Sequence, residues 1–363
     1  MTRLRGERVD DAAALLHADP MQGLAAKVAF LRRPGSYPEP AARVDAVEAH
    51  MSWVFLLDDY AYKLKKPFRR NGIDYSTAQL RHLNCRRELR LNRRLAPDIY
   101  LDVVALTVDA RGHFGLGGRG RRVDSLVRMR RLPLALTLEA RLKSGVVMAS
   151  DARRIAARLV PFFAEAARAR VTPRAYRRRL SAAIDAADAK LAQHGHGLDR
   201  SRIATTSAEL RRFIQTRGEL VDARARARRI VEGHGDLRPE HIYLTQPPTV
   251  MDCIEFDRRL RLRDPVEELA FLAMECDRGG CPQFDGWLFA EYRALSDDEP
   301  PRALVEFYKA YSAFSRARIA IWHLDDPDTG PRQHWIDCAD DYLGQAARYL
   351  GGIARADGGG KRT

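Results

Sequence analysis

Hydrophobic and polar residues alternate over short runs in the first third of the sequence and follow a helical period over most of the rest. Residues 53–57 and 60–66 alternate on either side of Asp58 and Asp59, which predicts a β-hairpin. Two further strands are predicted at 100–108 and 125–129, joined by a surface turn with the sequence GGRGRR. A small antiparallel sheet is therefore expected near the N-terminus.

Helical spacing of apolar residues resumes at Leu132 and Pro133 and continues through the remaining sequence. Helices are predicted at 9–30, 77–95, 136–142, 151–169, 176–193, 208–230, 266–274, 284–295, 302–322 and 335–350. The length of 363 residues exceeds one average domain. We therefore predict an α+β fold with a small antiparallel-sheet lobe at 1–132 and a large helical lobe at 133–363. The sequence MRRLP at 129–133 would be the hinge.

One stretch, HGDLRPEHIYLTQPPTVMDCIEF, interrupts the helical pattern with a loop and strand-like runs. The loop carries Asp236, and the later apolar run 250–256 carries Asp252 and Glu255. A loop carboxylate followed by a hairpin with a second carboxylate is typical of phosphoryl-transfer centres. On a regular strand, Asp252 and Glu255 would face opposite sides, so that only one could point into a site.

The first hairpin and the helix after it carry opposite charges that could meet. Lys63 and Lys65 share one face of their strand, and Glu88 lies on the apolar stripe of the helix 77–95. A buried carboxylate needs a cationic partner, and either lysine could supply it. A strand lysine paired with a helical glutamate positions nucleotide phosphates in kinases. Two lysines on a solvated sheet edge are the alternative interpretation.

Composition and charge argue against several other classes of protein. The net charge of +14 could attract nucleic acid, but the arginines are dispersed and have no aromatic residues interleaved on a strand pair. We therefore weigh nucleic-acid binding only as an alternative. The five cysteines form no CxxC pair, and no long uncharged apolar run or signal-peptide core occurs. A cytoplasmic protein that neither enters a membrane nor depends on disulfides is expected.

Several motifs together resemble a known family. HGDLRPEHI is similar to the HGDLHPGNI-type loop of aminoglycoside phosphotransferases and choline kinases. From about residue 30 to the C-terminal helix, the chain also resembles a bacterial aminoglycoside phosphotransferase-like branch, in these segments: HMSWVFL, YKLKKPF, ELRLNRRLAPDIYL, DCIEFDRRLR, ELAFLAMECDRGG and FYKAYSAFSRAR. The resemblance implies the bilobal protein-kinase-like fold. Many members of that branch carry a C-terminal P-loop kinase domain, whereas this sequence contains no Walker A motif.

The resemblance also implies roles for individual residues. Asp236 would be the base that accepts the proton of a substrate hydroxyl, and His234 would brace its loop. Lys63 would contact the α- and β-phosphates of ATP or GTP while Glu88 holds it, with Lys65 as the register alternative. Two hinge residues, Met129 and Arg130, are assigned to nucleotide binding.

The metal ligand stays open between two acids. Aspartate is the usual choice of the fold, which slightly favours Asp252, while the apolar context of Glu255 matches the family signature. Asp264, in an Asp-Pro step, is expected to cap the helix that follows or to brace the loop.

His241 occupies the position where the family has a metal-ligating asparagine. Imidazole is a poor ligand for Mg²⁺. The enzyme could therefore use one metal ion or tolerate Mn²⁺, or His241 could contact phosphate. The chain could also be a pseudokinase-like regulator that binds nucleotide. The expected function is transfer of phosphate to a small-molecule hydroxyl. Acidic clusters such as 297–299, 325–328 and 337–341 could attract a cationic substrate, although solvated helix ends are the simpler explanation.

Overall fold

The computed structural model describes residues 20–70, 73–193, 196–325 and 330–359. The chain divides into two compact units. The first comprises the described residues up to Pro133 together with Val250–Asp257, and the second comprises Leu134–Thr249 and the described residues from Arg258 onward. By its contacts, the segment Val250–Asp257 therefore belongs to the unit formed by residues far earlier in the sequence.

The first unit is built on a six-stranded sheet. Its strands are β1 (Asp45–Glu48), β2 (Ser52–Leu56), β3 (Tyr60–Lys65), β6 (Tyr100–Val108), β7 (Phe114–Leu116) and β8 (Arg121–Arg130), and a separate short pair is formed by β4 (Arg69–Arg70) and β5 (Ile73–Asp74). The order in the sheet is β1-β2-β3-β8-β6-β7. Strands β2 and β3 pair antiparallel with Phe55 opposite Tyr62, which confirms the predicted hairpin.

One helix covers each face of this sheet. Helix α1 (Pro20–Leu31) packs its apolar residues against Phe55, Tyr62 and Leu64. Helix α2 (Ala78–Asn92) packs on the other face, where Cys85 joins the cluster of buried residues from β3 and β8. Because side chains alternate along β3, Lys63 and Lys65 lie on the α2 side of the sheet. The predicted helix 9–30 is confirmed from Pro20 onward, and its earlier residues lie outside the described residues.

The turn GGRGRR does not join two neighbouring strands as predicted. Strand β7, which the alternation did not reveal, pairs with β6 on the side away from β8, so that the turn leads from β7 to β8 across the end of β6. The crossing is close: a Cβ atom on Gly120 would lie 2.6 Å from the carbonyl oxygen of Val108. Glycine is therefore the residue that this crossing admits.

The second unit is mainly helical, as predicted. Its helices are α3 (Leu138–Lys143), α4 (Ala149–Glu165), α5 (Pro173–Leu191), α6 (Arg200–Arg226), the short α7 (Arg258–Arg261), α8 (Pro265–Arg278), α9 (Phe284–Leu295), α10 (Arg302–His323) and α11 (Arg332–Gly359). Helix α6 begins at Arg200 rather than at residue 208, because the Asp199 side chain accepts hydrogen bonds from the N–H groups of Ser201 and Arg202. None of the described helices has the length and apolar content needed to span a membrane.

Short strands frame the loop that was singled out in the sequence. Strand β9 (Val231–Glu232) pairs with β12 (Leu262–Arg263), so that Arg263 lies opposite Val231, just before the loop. Strand β10 (Ile242–Tyr243) follows the loop, and β11 is limited to Thr249–Val250. The prediction of a strand over 250–256 is therefore wrong beyond Val250.

A buried ion-pair network links the helices of the second unit. The Arg224 guanidinium donates to both oxygens of Asp264, at 2.7 Å and 2.9 Å, and also to Asp298. Tyr308 donates a further hydrogen bond to Asp264 at 3.2 Å. Asp264 also accepts from the N–H of Val266 at 3.0 Å, which confirms its predicted role as the cap of α8.

Removing the cation from this network should destabilise the protein strongly. In Arg224→Ala, Asp264 and Asp298 would lose the guanidinium while they stay buried, and breaking a buried pair in this way costs about 3–5 kcal/mol. The free energy of unfolding from urea denaturation measures this loss. The control, Arg226→Ala, lies on the same helix but has an exposed ion pair with Glu219 and only a long contact, 3.8 Å, with Asp222, which Arg177 holds at 2.8 Å. Its unfolding free energy should stay within about 1 kcal/mol of the wild type. Equal losses in both variants would contradict the interpretation.

Candidate functional site

Strand β3 and helix α2 bring two lysines to one glutamate. The Glu88 side chain is fully buried, and its two oxygens contact different lysines: Oε1 lies 2.9 Å from Lys63 Nζ, and Oε2 lies 2.6 Å from Lys65 Nζ. The helical stripe that was read from the sequence therefore does face the strand that carries the lysines. Both register alternatives, Lys63 and Lys65, meet Glu88.

The segment Val250–Asp257 adds an acid to each lysine. Lys63 Nζ lies 2.6 Å from Asp252 Oδ1, and Lys65 donates to Glu255 Oε1, which also accepts from Tyr75 at 2.8 Å. Each acid thus contacts a lysine. The expected regular strand, on which the two acids would face opposite sides, is wrong, because Asp252 has a φ angle of 61°, in the left-handed region, which breaks the alternation. Which of the two acids points into a metal site stays a prediction.

Residues of the first unit hold this irregular segment. The backbone N–H of Asp252 donates to the hydroxyl of Tyr100 at 3.2 Å, and the N–H of Cys253 donates to Oδ1 of Asn92 at 2.8 Å. Asn92 lies one helical turn after Glu88 on α2. The same helix therefore positions the lysines through Glu88 and the acidic segment through Asn92.

The two lysine–acid pairs differ in their access to solvent. In the outer pair, the side chains of Lys63 and Asp252 are 16% and 44% exposed. In the inner pair, those of Lys65 and Glu255 are 2% and 9% exposed. A nucleotide or metal ion in solution can therefore approach the outer pair more readily than the inner pair.

Charge compensation keeps these groups ionised. Burial alone lowers the pKa of Lys63, but the charges of Asp252 and Glu88 raise that pKa well above its usual value. The pKa of Lys65 rises in the same way beside Glu255 and Glu88. Burial alone raises the pKa of Glu255, but the charges of Lys65 and Lys63 and the hydrogen bond from Lys65 together lower the pKa below its usual value.

In the second unit, the backbone of the His-Gly-Asp loop is held by a glutamate. Glu268, on helix α8, accepts hydrogen bonds from the N–H of His234 at 3.0 Å and from the N–H of Gly235 at 2.5 Å. The carboxylate also lies where a Cβ of Gly233 would be, because that Cβ would fall 2.6 Å from Glu268 Oε1. Sequence reasoning missed Glu268; the available signal was an acidic residue at an otherwise apolar helix position after Asp264.

Two histidines complete the local structure around Asp236. His234 is buried, and its Nδ1 accepts from the N–H of Asp236 at 3.3 Å. Nδ1 of His241 lies 2.9 Å from the Asp236 carbonyl oxygen, and since a carbonyl can only accept, this nitrogen carries the proton. Both rings thus contact the Asp236 backbone, and the Asp236 side chain is 28% exposed.

The metal-ligand candidates belong to different units of the chain. Asp252 and Glu255 belong to the first unit and His241 to the second. No group of three or more His, Cys, Asp or Glu side chains suited to a metal ion occurs in the described parts of the chain. Mg²⁺ bound with a nucleotide needs only one or two carboxylates, because phosphate oxygens and water complete its shell. The exposed Asp252 carboxylate fits that requirement.

The predicted hinge residues have different surroundings. Met129 is buried in the apolar cluster between the sheet and α2, and Arg130 is exposed at the end of β8. The N–H of Arg130 donates to the carbonyl of Ile99 at 2.9 Å. Their assignment to nucleotide binding stays a prediction.

The sequence is related to longer bacterial proteins. An uncharacterized protein of Mycobacterium tuberculosis and one of Mycobacterium bovis are each 31% identical to it over 281 residues. The matches cover 76% of this chain and 54% of those proteins, so the chain spans about half the length of the curated relatives it matches. No protein-family model matches the sequence.

Solved structures with the same fold come from kinases of small molecules. A choline/ethanolamine kinase family protein from Mesorhizobium loti is similar with a TM-score of 0.52 and 17% identity, covering 95% of this chain and 98% of its own. A choline kinase from Cryptosporidium parvum has a TM-score of 0.57 and 10% identity, covering 92% and 97%. The GDP complex of aminoglycoside 2'-phosphotransferase-IIIa has a TM-score of 0.52 and 16% identity, covering 90% and 98%.

These similarities define the fold of the chain. It has the bilobal protein-kinase-like fold, with an antiparallel-sheet lobe and a larger helical lobe, that choline kinases and aminoglycoside phosphotransferases share. The fold implied by the motifs HGDLRPEHI and YKLKKPF is therefore confirmed.

The inner pair, Lys65 and Glu255, should make the stability of the protein depend on pH. The folded-state pKa of Glu255 lies below its ordinary value of 4.5, so its stabilising contribution is complete above that pH and is lost as the pH falls through the folded pKa. Unfolding free energies of wild type and Glu255→Gln, measured from pH 7 to pH 3, should therefore converge below about pH 4.5. A constant difference over the whole range would show that the Glu255 charge does not contribute.

Proposed function

We propose that this chain belongs to the aminoglycoside phosphotransferase-like family and transfers the γ-phosphate of ATP or GTP to a hydroxyl of a small molecule. The observation that carries the proposal is the contact of Lys63 with Glu88 and Asp252, at 2.9 Å and 2.6 Å. Kinases position nucleotide phosphates with such a strand lysine, helical glutamate and metal-binding aspartate. The fold shared with choline kinases and an aminoglycoside phosphotransferase supports the same reaction class.

Asp236 is the proposed general base. As the acceptor oxygen forms its bond to the γ-phosphorus, the hydroxyl proton passes to the Asp236 carboxylate. The bond from that phosphorus to the β-phosphate oxygen breaks, and the nucleoside diphosphate leaves. The contacts of His234 and His241 with the Asp236 backbone support a positioning role for both rings. Such positioning supplies much of the rate in phosphoryl transfer.

Lys63 is the proposed phosphate ligand, and Lys65 is the structural partner. The side chain of Lys63 is more exposed than that of Lys65, and its ammonium can exchange the Asp252 carboxylate for phosphate oxygens while Glu88 continues to hold it. The ammonium of Lys65 is enclosed by Glu88, Glu255 and the ring of Tyr75, whose centroid is 5.1 Å away. Moving Lys65 toward a nucleotide would leave two buried carboxylates with less compensation.

Asp252 is the proposed metal ligand rather than Glu255 or His241. Glu255 already accepts from Lys65 and Tyr75 in the interior, and His241 already donates from Nδ1 to a carbonyl group. A magnesium or manganese ion held by Asp252 would neutralise charge on the phosphates during transfer. The preference for oxygen ligands of Mg²⁺ also favours the carboxylate over imidazole.

A second candidate is a regulator that binds nucleotide but transfers little phosphate. His241 favours it, since imidazole replaces the oxygen ligand that the family's asparagine supplies. The two candidates differ in metal dependence. A regulator would be stabilised by ATP equally with and without Mg²⁺ or Mn²⁺ in a thermal-melting experiment, and it would show no turnover.

Asp236→Ala should abolish most transfer while nucleotide binding remains. A positioned base contributes about 10²–10⁴-fold to the rate, so a loss of about 10³-fold is expected. Transfer of labelled γ-phosphate to a mixed metabolite extract measures it, with ATP-dependent melting as the check on nucleotide binding. Glu240→Gln is the control, because Glu240 lies in the same loop but pairs with Arg238. An unchanged rate in Asp236→Ala would exclude Asp236 as the base.

Variants of the two acids beside the lysines should differ in their dependence on the Mg²⁺ concentration. Asp252→Asn should raise the Mg²⁺ concentration for half-maximal transfer by about tenfold or more, because it removes a charged ligand. Glu255→Gln should leave that concentration unchanged but lower the melting temperature, since it weakens the buried contact with Lys65. The reverse result would assign the metal to Glu255.

A further inference from the structure

The outward face of helix α2 is rich in arginine. We call its exposed residues the arginine face: Gln79, Leu83, Arg86, Arg87, Arg90 and Arg93. The buried residues of the same helix, among them Cys85 and Glu88, lie on the opposite face, which packs against the sheet and contacts the lysines of β3. None of the residues of the arginine face is acidic. Helix α2 therefore presents a positively charged surface to solvent.

The charges of the arginine face are not compensated within the described part of the chain. No carboxylate of the described residues pairs with Arg86, Arg87 or Arg90. An exposed helical arginine elsewhere does have such a partner, since Arg226 on α6 lies 2.7 Å from Glu219 on the same helix. The three arginines of α2 are thus open to acidic groups from outside the chain.

Local structure accounts for only part of this charge. Positive charge in the last turn of a helix is favoured by the helix dipole, which applies to Arg90, and a hydrogen bond of 2.8 Å to the carbonyl of Tyr100 holds Arg93. Arg86 and Arg87 lie in the middle of the helix, where the dipole effect is small. Arg86 and Arg90 are also one helical turn apart, and like charges at this spacing repel each other. The two central arginines therefore add nothing to the stability of α2 through charge.

The arginine face also contains an apolar groove. The Leu83 side chain is 41% exposed, and Leu89 is half-buried beside it. These two leucines and the arginines of the face line an open cavity of about 600 Å³. Exposed apolar groups surrounded by polar ones mark surfaces that bind other proteins, and arginine is enriched in such interfaces.

Strand β8 extends the positive surface. Arg122, near the start of β8, is exposed and donates a hydrogen bond of 2.8 Å to Oε1 of Gln79. Its charge therefore lies beside the first turn of α2, ahead of Leu83. The positive charges thus lie on both sides of the exposed leucine along the helix.

The side chains of the face distinguish between two kinds of anionic partner. A nucleic acid offers backbone phosphates together with bases, and bases stack on aromatic side chains. The arginine face has no aromatic residue, and the apolar part of its cavity is made of leucine. An acidic protein segment offers carboxylates for the arginines and an aliphatic side chain for the cavity. The chemistry of the face therefore favours a protein.

We infer that the arginine face binds an acidic segment of a partner protein, with carboxylates paired to its arginines and one large apolar side chain seated beside Leu83 and Leu89. Guanidinium groups recognise carboxylates through paired N–H donors, which gives the contact its geometry. The partner would lie on the side of α2 opposite to Glu88, so that the contact of Glu88 with Lys63 stays in place. The inference does not depend on the proposed phosphotransferase function.

Three synthetic peptides of equal length serve as probes, and fluorescence anisotropy with the full chain measures their Kd. The first carries glutamates and leucines at helical spacing, the second has glutamine in place of every leucine, and the third has glutamine in place of every glutamate. The first should bind at least tenfold more tightly than either of the others, and added salt should weaken its binding. The double variant Arg86→Glu, Arg90→Glu should bind it at least tenfold more weakly than the wild type. Leu83→Gln should remove the difference between the first and second peptides.

The double variant Arg174→Glu, Arg178→Glu is the matched control. These arginines are also exposed and four residues apart, on helix α5 in the second unit. This variant should bind the first peptide as the wild type does, and circular-dichroism melting verifies that every variant is folded. A loss equal to that of the α2 variant would show that only net charge matters and would overturn the inference.

Four further results would also overturn it. They are failure of all three peptides to bind, equal binding of the first and second peptides, an unchanged affinity in the folded double variant of α2, and tighter binding of single-stranded RNA or duplex DNA through the same arginines. Sedimentation of the chain alone tests a second copy as the occupant. A dimer that Arg86→Glu, Arg90→Glu dissociates would assign the face to self-association instead of an acidic partner.

Discussion

The first unit depends on the pairing of one buried carboxylate with two ammonium groups. Glu88 is fully enclosed, and an enclosed charge without partners costs several kcal/mol (on the order of 5). Its oxygens are each met by a different lysine of β3, so the rotation of α2 and the register of β3 must agree. A register shift by one residue would replace the lysines with Tyr62 and Leu64, which belong to the opposite face. The ion pairs thus determine how the sheet and the helix pack together, and they also form part of the candidate site.

The second unit uses a carboxylate in a different way. The Glu268 carboxylate accepts hydrogen bonds from backbone N–H groups, and it holds the loop ahead of Asp236 from a neighbouring helix. Burial raises the pKa of Glu268 above its usual value, although the hydrogen bonds from His234 and Gly235 and the charge of Arg263 partly oppose this rise. The loop therefore obtains its shape from a group that is sequentially distant. The backbone just before Asp236 therefore depends on a contact with helix α8.

Local patterns predicted much of this structure. The hairpin β2–β3, the helix carrying Glu88 and most helices of the second unit follow from alternation and helical spacing, which depend on neighbouring residues. Non-local contacts decided the rest. The path of Val250–Asp257 depends on Tyr100 and Asn92, and the order of β6, β7 and β8 depends on which edge accepts β7. Glu268 was missed because its partners are backbone groups, which leave no charge pattern in the sequence.

The contact between Lys63 and Asp252 makes two charges of the first unit mutually dependent. Oδ1 of Asp252 already accepts from the Lys63 ammonium, at 2.6 Å. A cation that took this oxygen would compete with the ammonium, and an anion that took the ammonium would compete with the carboxylate. In the proposed function, the metal ion and the nucleotide phosphates would each replace one partner of this pair, and each replacement would favour the other.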